Sequence, residues 1–328
     1  MNKSEKFGSV DQVSLTVLVD NKADLIVKST DRVKYFTEEA LLAEHGFSVL
    51  IQLNDQEGKI LWDAGVSKIA LMENMRLMKL DKTSLTKIAL SHGHFDHYEA
   101  MTDLLIGLDL LPKDKEWDTP VNEKDIEEWM TSSRIPIIAH PAAFRERWKV
   151  KDDGTMVGPI LPPPQGEWQA AGAEIILSEG PYQLAPGCWT TGYVPRNSFE
   201  ESGRSDQLRY RKGPDFLPDD LEEDQAVVIN VKGKGLVVLS GCAHSGIVNT
   251  IEHAREFSGV DTVHAVIGGL HLAQASEDEI DQTVEYIKSI KPQLVVPGHC
   301  TGFKAISRFA REMPDQFVEG VVGATYLF

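Results

Sequence analysis

Apolar residues gather in short runs along this chain, at residues 15–19, 47–53, 87–90, 135–139, 226–231, 236–239, 263–267 and 294–296. Each run is too short for a typical helix and rich in strand-favouring side chains, so each predicts a strand. Residues 13–62 read as strands joined by turns such as Asn54-Asp55-Gln56-Glu57-Gly58, whereas the C-terminal third alternates strand with helix. Ser276 with Glu279 predicts a capping box, Ile280, Val284 and Ile287 supply one apolar face, and Pro292 follows the end of the pattern. A second helix is expected at about residues 246–257, closed by Gly259. Together these elements predict a layered α/β architecture.

Three stretches interrupt the pattern. Residues 111–130 are acidic and polar, residues 151–172 carry Leu161-Pro162-Pro163-Pro164, and residues 196–222 mix charge with Gly and Pro. They read as loop insertions in one domain spanning residues 1–328. A net charge of −17 disfavours nucleic acid and anionic membranes as partners, though a local pocket for one anionic small molecule stays compatible with it. The start lacks a signal-peptide pattern and no run approaches a membrane span, so a cytoplasmic protein is expected. Cys188, Cys242 and Cys300 are odd in number and widely spaced, which argues for buried thiols or metal ligands over a disulfide framework.

Of the ten histidines, three fall within "SHGHFDH", residues 91–97, directly after an apolar run. Imidazole and carboxylate are the usual ligands of zinc and related cations. Alternate side chains of an extended segment point the same way, and a following turn redirects the next pair. His92 and His94 are thus expected to hold one metal, with Asp96 and His97 facing a second.

This motif, with "LWDAG" (61–65), "GLVVLSGCAHSG" (235–246) and "VVPGHCTG" (295–302) in the same order, resembles the metallo-β-lactamase fold superfamily. The resemblance implies a four-layer αββα sandwich of two mixed sheets flanked by helices, with metals at the sheets' edge. It implies that Asp63 orients a metal-binding histidine from behind and that His299 is a further ligand. Where most members have a bridging Asp, this chain has Cys242, with His244 two residues on; either is a candidate ligand. The third motif usually carries a histidine, and the equivalent "TTGYVPRNS" (190–198) places Tyr193 there, leaving an open position or a substitute such as His140 or His244. His271, in "IGGLHLAQ", is expected on the same rim with a substrate or proton-transfer role.

The stretches "VLVDN" (17–21), "LLAEHGFSVLI" (41–51), "TGYVPR", "GGLHL" and "HCTG" resemble a narrower branch, 7,8-dihydropterin-6-methyl-4-(β-D-ribofuranosyl)aminobenzene-5′-phosphate synthase. Two divalent metals are implied, zinc first and iron or manganese as alternatives. The expected activity is hydrolysis of a small ester or phosphoester by a metal-bound hydroxide, with Asp96 steering it and Arg196 and Tyr193 contacting substrate. The alternative is a synthase that joins an arylamine to a dihydropterin with loss of diphosphate. A non-catalytic metal or small-molecule scaffold is the third possibility. Di-iron redox chemistry ranks last among the enzymes, because members that perform it generally carry Glu at the position of His94 and a second domain.

Overall fold

The computed structural model describes residues 3–53, 58–111, 123–130 and 134–328. Residues 54–57 of the expected turn and residues 112–122 of the acidic stretch lie outside the described residues. All eight apolar runs fall on strands.

The first sheet has eight strands, in spatial order Val33–Tyr35, Ala324–Leu327, Val13–Val19, Ser48–Leu53, Lys59–Trp62, Leu85–Ala89, Ile135–Ala139 and Ala173–Leu177. The last four of these run parallel and the rest antiparallel. The second sheet has six, in the order Tyr182–Ala185, Cys188–Thr190, Ala226–Val231, Gly235–Ser240, Val263–Gly269 and Leu294–Gly298, with the final three parallel.

Three apolar clusters mark the interfaces between four layers. Val17, Val49, Ile51 and Trp62 of the first sheet meet Ile229, Val237, Leu239 and Val296 of the second. On the first sheet's other face, Leu50, Leu61 and Ile88 pack against Leu71 and Met75 of the helix Lys68–Leu77 and Leu104 of the helix Met101–Leu108. On the second sheet's other face, Val238, Val266 and Val295 pack against Ile251, Val284 and Phe309, from the helices Ile247–Ser258, Glu277–Ser289 and Phe303–Glu312. The layering is therefore αββα. Successive side chains of Gly235–Ser240 go to opposite interfaces, and both are buried, so the run shows no polar alternation in sequence. Each such Val, Leu or Ile stabilises the fold by roughly 1.5–3 kcal/mol.

A third sheet has four strands, Asp215–Pro218, Leu208–Lys212, Arg147–Val150 and Met156–Ile160, three of them within the segments 151–172 and 196–222 expected to be loops and Arg147–Val150 just before the first of these. These strands were not legible because they are short and largely solvated, with Met156–Ile160 exposed throughout. Trp148 and Phe216 pack across this sheet with ring centroids 4.8 Å apart. Arg147 anchors it from a buried position: Nε donates to Asp219 Oδ2 at 2.8 Å, and Nη2 to Glu223 Oε1 at 2.6 Å and to the Ala142 carbonyl at 3.0 Å.

One helix cap departs from expectation. Ser276 Oγ accepts the Glu279 N–H at 3.1 Å, but the Glu279 carboxylate does not complete a reciprocal box. Its Oε1 accepts the N–H groups of Glu201 and Ser202 at 3.0 and 2.9 Å, tying residues 201–202 to this helix. Ile247–Ser258 ends at Gly259, which takes φ 68° as an αL cap. Among the described residues, no helix is long and apolar enough to cross a membrane.

Candidate metal centre

The strand Leu85–Ala89 leads through Ser91, His92, Gly93 and His94 into the short helix Phe95–Tyr98. Gly93 is required at this turn, since a Cβ there would stand 2.3 Å from the Ala143 carbonyl oxygen. The turn brings His92 Nε2 within 3.0 Å of His94 Nδ1 and sends Asp96 and His97 to the neighbouring corner. Cys242, past the end of Gly235–Ser240, has its Sγ 3.2 Å from His97 Nε2. His299, past Leu294–Gly298, has Nε2 3.3 Å from Asp96 Oδ2.

Two donor groups result, each with its ligand atoms within 4.8 Å of one another: Asp96, His97, Cys242 and His299; and His92, Cys242 and His244. Cys242 belongs to both. His94 joins the second through its contact with His92, and the His244 ring lies 4.8 Å from the rings of both. Seven of the ten histidines form one chain of ring contacts, from His45 through His299, His97, His92, His94 and His244 to His271.

Behind the rings, buried groups fix their direction. Asp63 Oδ2 is 2.7 Å from His97 Nδ1, and its Oδ1 accepts the Ser91 N–H at 2.7 Å. Ser91 Oγ donates to Asp63 Oδ2 at 2.7 Å, leaving its oxygen to accept from His92 Nδ1 at 2.9 Å. With both Nδ1 atoms held as donors, the Nε2 atoms of His92 and His97 face the cluster. Asp20 Oδ1 accepts the His299 N–H at 2.9 Å, and Asn21 Nδ2 donates to the His299 carbonyl at 3.0 Å. Backbone strain also concentrates here, with φ values of 57°, 59°, 48° and 44° at Asp63, Ala243, His271 and His299.

Protonation follows burial and neighbours. Burial, reinforced by the surrounding imidazoles, holds His92 and His244 well below the usual histidine range, and burial pushes His94 down to about 3. Burial opposes the charged form of His97 too, but the Asp63 and Asp96 carboxylates outweigh it and raise this imidazole to about 9. Burial likewise raises Asp96, yet His97, His299 and His94 together hold it below the ordinary carboxylate range. Both ring nitrogens of His244 are buried without a hydrogen-bond partner, and the buried Nε2 of His299 has Asp96 Oδ2 3.3 Å away but outside hydrogen-bond geometry. Buried lone pairs converging without donors are unfavourable unless a cation takes them, so imidazole, carboxylate and thiolate here suit zinc-like ions.

The remaining sequence candidates lie around this core. Tyr193 is 47% exposed and lines a cavity of about 670 Å³ with His140, Glu179, Arg196, Asp220 and Glu222. It belongs to neither donor group, and His244 stands beside His92 and His94 instead. The His140 Nδ1 accepts the Ala142 N–H at 3.2 Å and takes no part in the ring chain. Arg196 directs its guanidinium at the carbonyls of His244 and Asp220, bracing the loop that carries His244. The His271 ring is 4.1 Å from that of His244.

Sequence reasoning missed His45, and it left Cys300 open between a buried thiol and a metal ligand. His45 is exposed, stacks on His299 at 5.2 Å, and has Nε2 3.3 Å from Asp96 Oδ2. Its only signal was membership in the stretch 41–51. Cys300 adjoins His299 in the chain, and its Sγ reaches the Cys242 carbonyl at 3.5 Å.

No family model matches the chain. A 7,8-dihydropterin-6-methyl-4-(β-D-ribofuranosyl)-aminobenzene-5′-phosphate synthase of Methanocaldococcus jannaschii is 30% identical over 84% of this chain and 87% of its own length. An uncharacterised protein of the same organism is 30% identical over 91% of this chain and 97% of its own. Among solved structures, a metal-dependent hydrolase of the β-lactamase superfamily superposes with a TM-score of 0.68 at 21% identity, covering 95% of this chain and 98% of that one.

Proposed function

From the premise that the chain belongs to the metallo-β-lactamase superfamily, in the branch of that dihydropterin-ribofuranosylaminobenzene phosphate synthase, we propose that it is a dinuclear metal-dependent hydrolase of a small-molecule ester or phosphoester. The observation that carries this reading is the pair of buried donor groups meeting at Cys242, with both ring nitrogens of His244 unpartnered. His92, His94 and His244 would hold one cation, Asp96, His97 and His299 the other, and the Cys242 thiolate would face both. When bound, two divalent cations would supply an acidified water and neutralise charge on a substrate oxygen.

The chain's own residues do the rest. Ser91 and Asp63 keep the Nε2 atoms of His92 and His97 aimed inward before any ion binds. Asp96, held ionised by the surrounding histidines, would steer the attacking water, and His45 Nε2, 3.3 Å from Asp96 Oδ2 and open to solvent, would take the released proton. The substrate enters from the side of Tyr193, where the 670 Å³ cavity adjoins the loop of His244 through Arg196.

The relative named as a synthase favours a second reading, in which the same centre binds a diphosphate leaving group while an arylamine displaces it. Product analysis separates the two. Metal-loaded protein offered phosphodiesters, carboxylic esters, and a dihydropterin diphosphate with an arylamine acceptor should consume water with the first two classes. Release of diphosphate only when both pterin and arylamine are present would replace hydrolysis with condensation. Tight binding of these compounds with no turnover would replace both with a scaffold.

A further inference from the structure

Three neighbouring parallel strands, Gly235–Ser240, Val263–Gly269 and Leu294–Gly298, each present a soft or borderline donor just past their carboxyl ends: Cys242, His271 and Cys300. We propose that these three residues form an additional site for a thiophilic divalent cation, held by two thiolates and one imidazole. It shares Cys242 with the centre described above but uses none of His92, His94, Asp96, His97, His244 or His299.

The geometry supports a single ion. The three ligand atoms lie within 4.8 Å of one another. A tetrahedral cation with metal–sulfur bonds of ~2.3 Å and metal–nitrogen bonds of ~2.0 Å needs sulfur–sulfur and sulfur–nitrogen separations of roughly 3.5–3.8 Å. The space for Cys300 is built in: a Cβ on Gly269 would stand 2.7 Å from Cys300 Sγ and 3.2 Å from Cys242 Cα. Thr301 Oγ1 accepts the Leu270 N–H at 3.0 Å, locking the strand end that carries His271 to the turn that carries Cys300. His271 adopts φ 48°, and its Nδ1 is buried without a hydrogen-bond partner. Cys242 is buried while His271 and Cys300 are half-buried, so an ion has a route in and water can complete a fourth position. Two thiolates select zinc or cadmium over magnesium or calcium. A His271 engaged in this way is a ligand and not the proton carrier expected from sequence.

The test is cobalt substitution of the full chain under anaerobic, reducing conditions, read by thiolate-to-cobalt charge-transfer absorption. Cys300→Ser is expected to lose the share of the absorption that one sulfur–cobalt bond supplies, while the bonds made by Cys242 remain. His271→Ala should keep both sulfurs but bind cobalt more weakly, which guards against a folding defect in the serine variant. A Cys300→Ser spectrum equal to wild type in a protein with unchanged circular dichroism would overturn the site, since Cys242 alone would then supply the sulfur. The outcome is separable from the dinuclear reading: in a His92→Ala/His97→Ala background, which weakens that centre, adding Cys300→Ser should cut the remaining band about twofold, because two sulfurs become one, and an unchanged band there would overturn the site whatever becomes of the dinuclear reading.

Discussion

Asp63 Oδ2 lies 2.7 Å from His97 Nδ1 with both side chains fully buried, and the same carboxylate holds the N–H and hydroxyl of Ser91. One residue thus orients two of the rings that face the candidate centre. Asp63→Asn keeps the shape but replaces a carboxylate oxygen with a poorer acceptor or a competing donor. Metal affinity, measured by competition with a chromophoric chelator, should fall about 10–100-fold while the circular dichroism stays unchanged. An affinity equal to wild type would show that Asp63 only packs.

The His244 ring lies 4.8 Å from the rings of His92 and His94, and on the proposed reading it completes their metal position, whereas Tyr193, where the third-motif histidine is expected in sequence, is half-exposed in the adjoining cavity. His244→Ala should therefore lose about one of roughly two bound metals, because the position keeps only His92, His94 and a shared Cys242. Tyr193→Phe should keep both and change only the response to substrate. Equal metal content in the two variants would contradict this assignment.

Metal removal should loosen the fold as well as the chemistry. The ions bind the folded chain and not the scattered ligands of the unfolded one, so free metal at about 100 times its dissociation constant adds roughly 2.7 kcal/mol. Differential scanning of chelated and reloaded protein should show a lower melting temperature for the former, restored by zinc. Coincident curves would mean that the donors are held by packing alone.

The buried cluster beneath the third sheet gives a pH signature of its own. Burial pushes the Glu223 carboxyl up to about 7 from its ordinary 4.5, with Arg147 opposing and Asp219 adding to the rise. One guanidinium between two buried carboxylates leaves one of them holding its proton. Between these two values the unfolded chain has released that proton and the folded chain retains it, so stability from this group falls as pH rises through the window and is level above it. Glu223→Gln should remove a slope on the order of 3 kcal/mol across that range, read from urea midpoints between pH ~5 and ~8. Parallel stability profiles for variant and wild type would place the proton elsewhere.

The layers were legible because their strands are buried on both faces and so read as unbroken apolar runs, as in Gly235–Ser240. The third sheet was not, since solvated strands such as Met156–Ile160 have no burial pattern to impose on their sequence. At the centre, residues 92–97 announced themselves because their donors are neighbours in the chain. His45 did not, for it reaches Asp96 only through the tertiary fold, and Cys300 was open between a buried thiol and a ligand until the strand ends brought it beside Cys242 and His271. Glu279 shows the same limit: its spacing from Ser276 fits a capping box, while its carboxylate serves a distant backbone.

The most direct measurement is the metal content of protein purified without chelator, by plasma mass spectrometry, beside the His94→Ala/Asp96→Ala variant. The dinuclear account predicts about two equivalents of a first-row cation such as zinc in the wild-type centre, beyond any ion held by Cys300, and a marked loss in the variant. Wild-type protein that binds no metal even after anaerobic reconstitution, or a variant that retains the full complement, would contradict it.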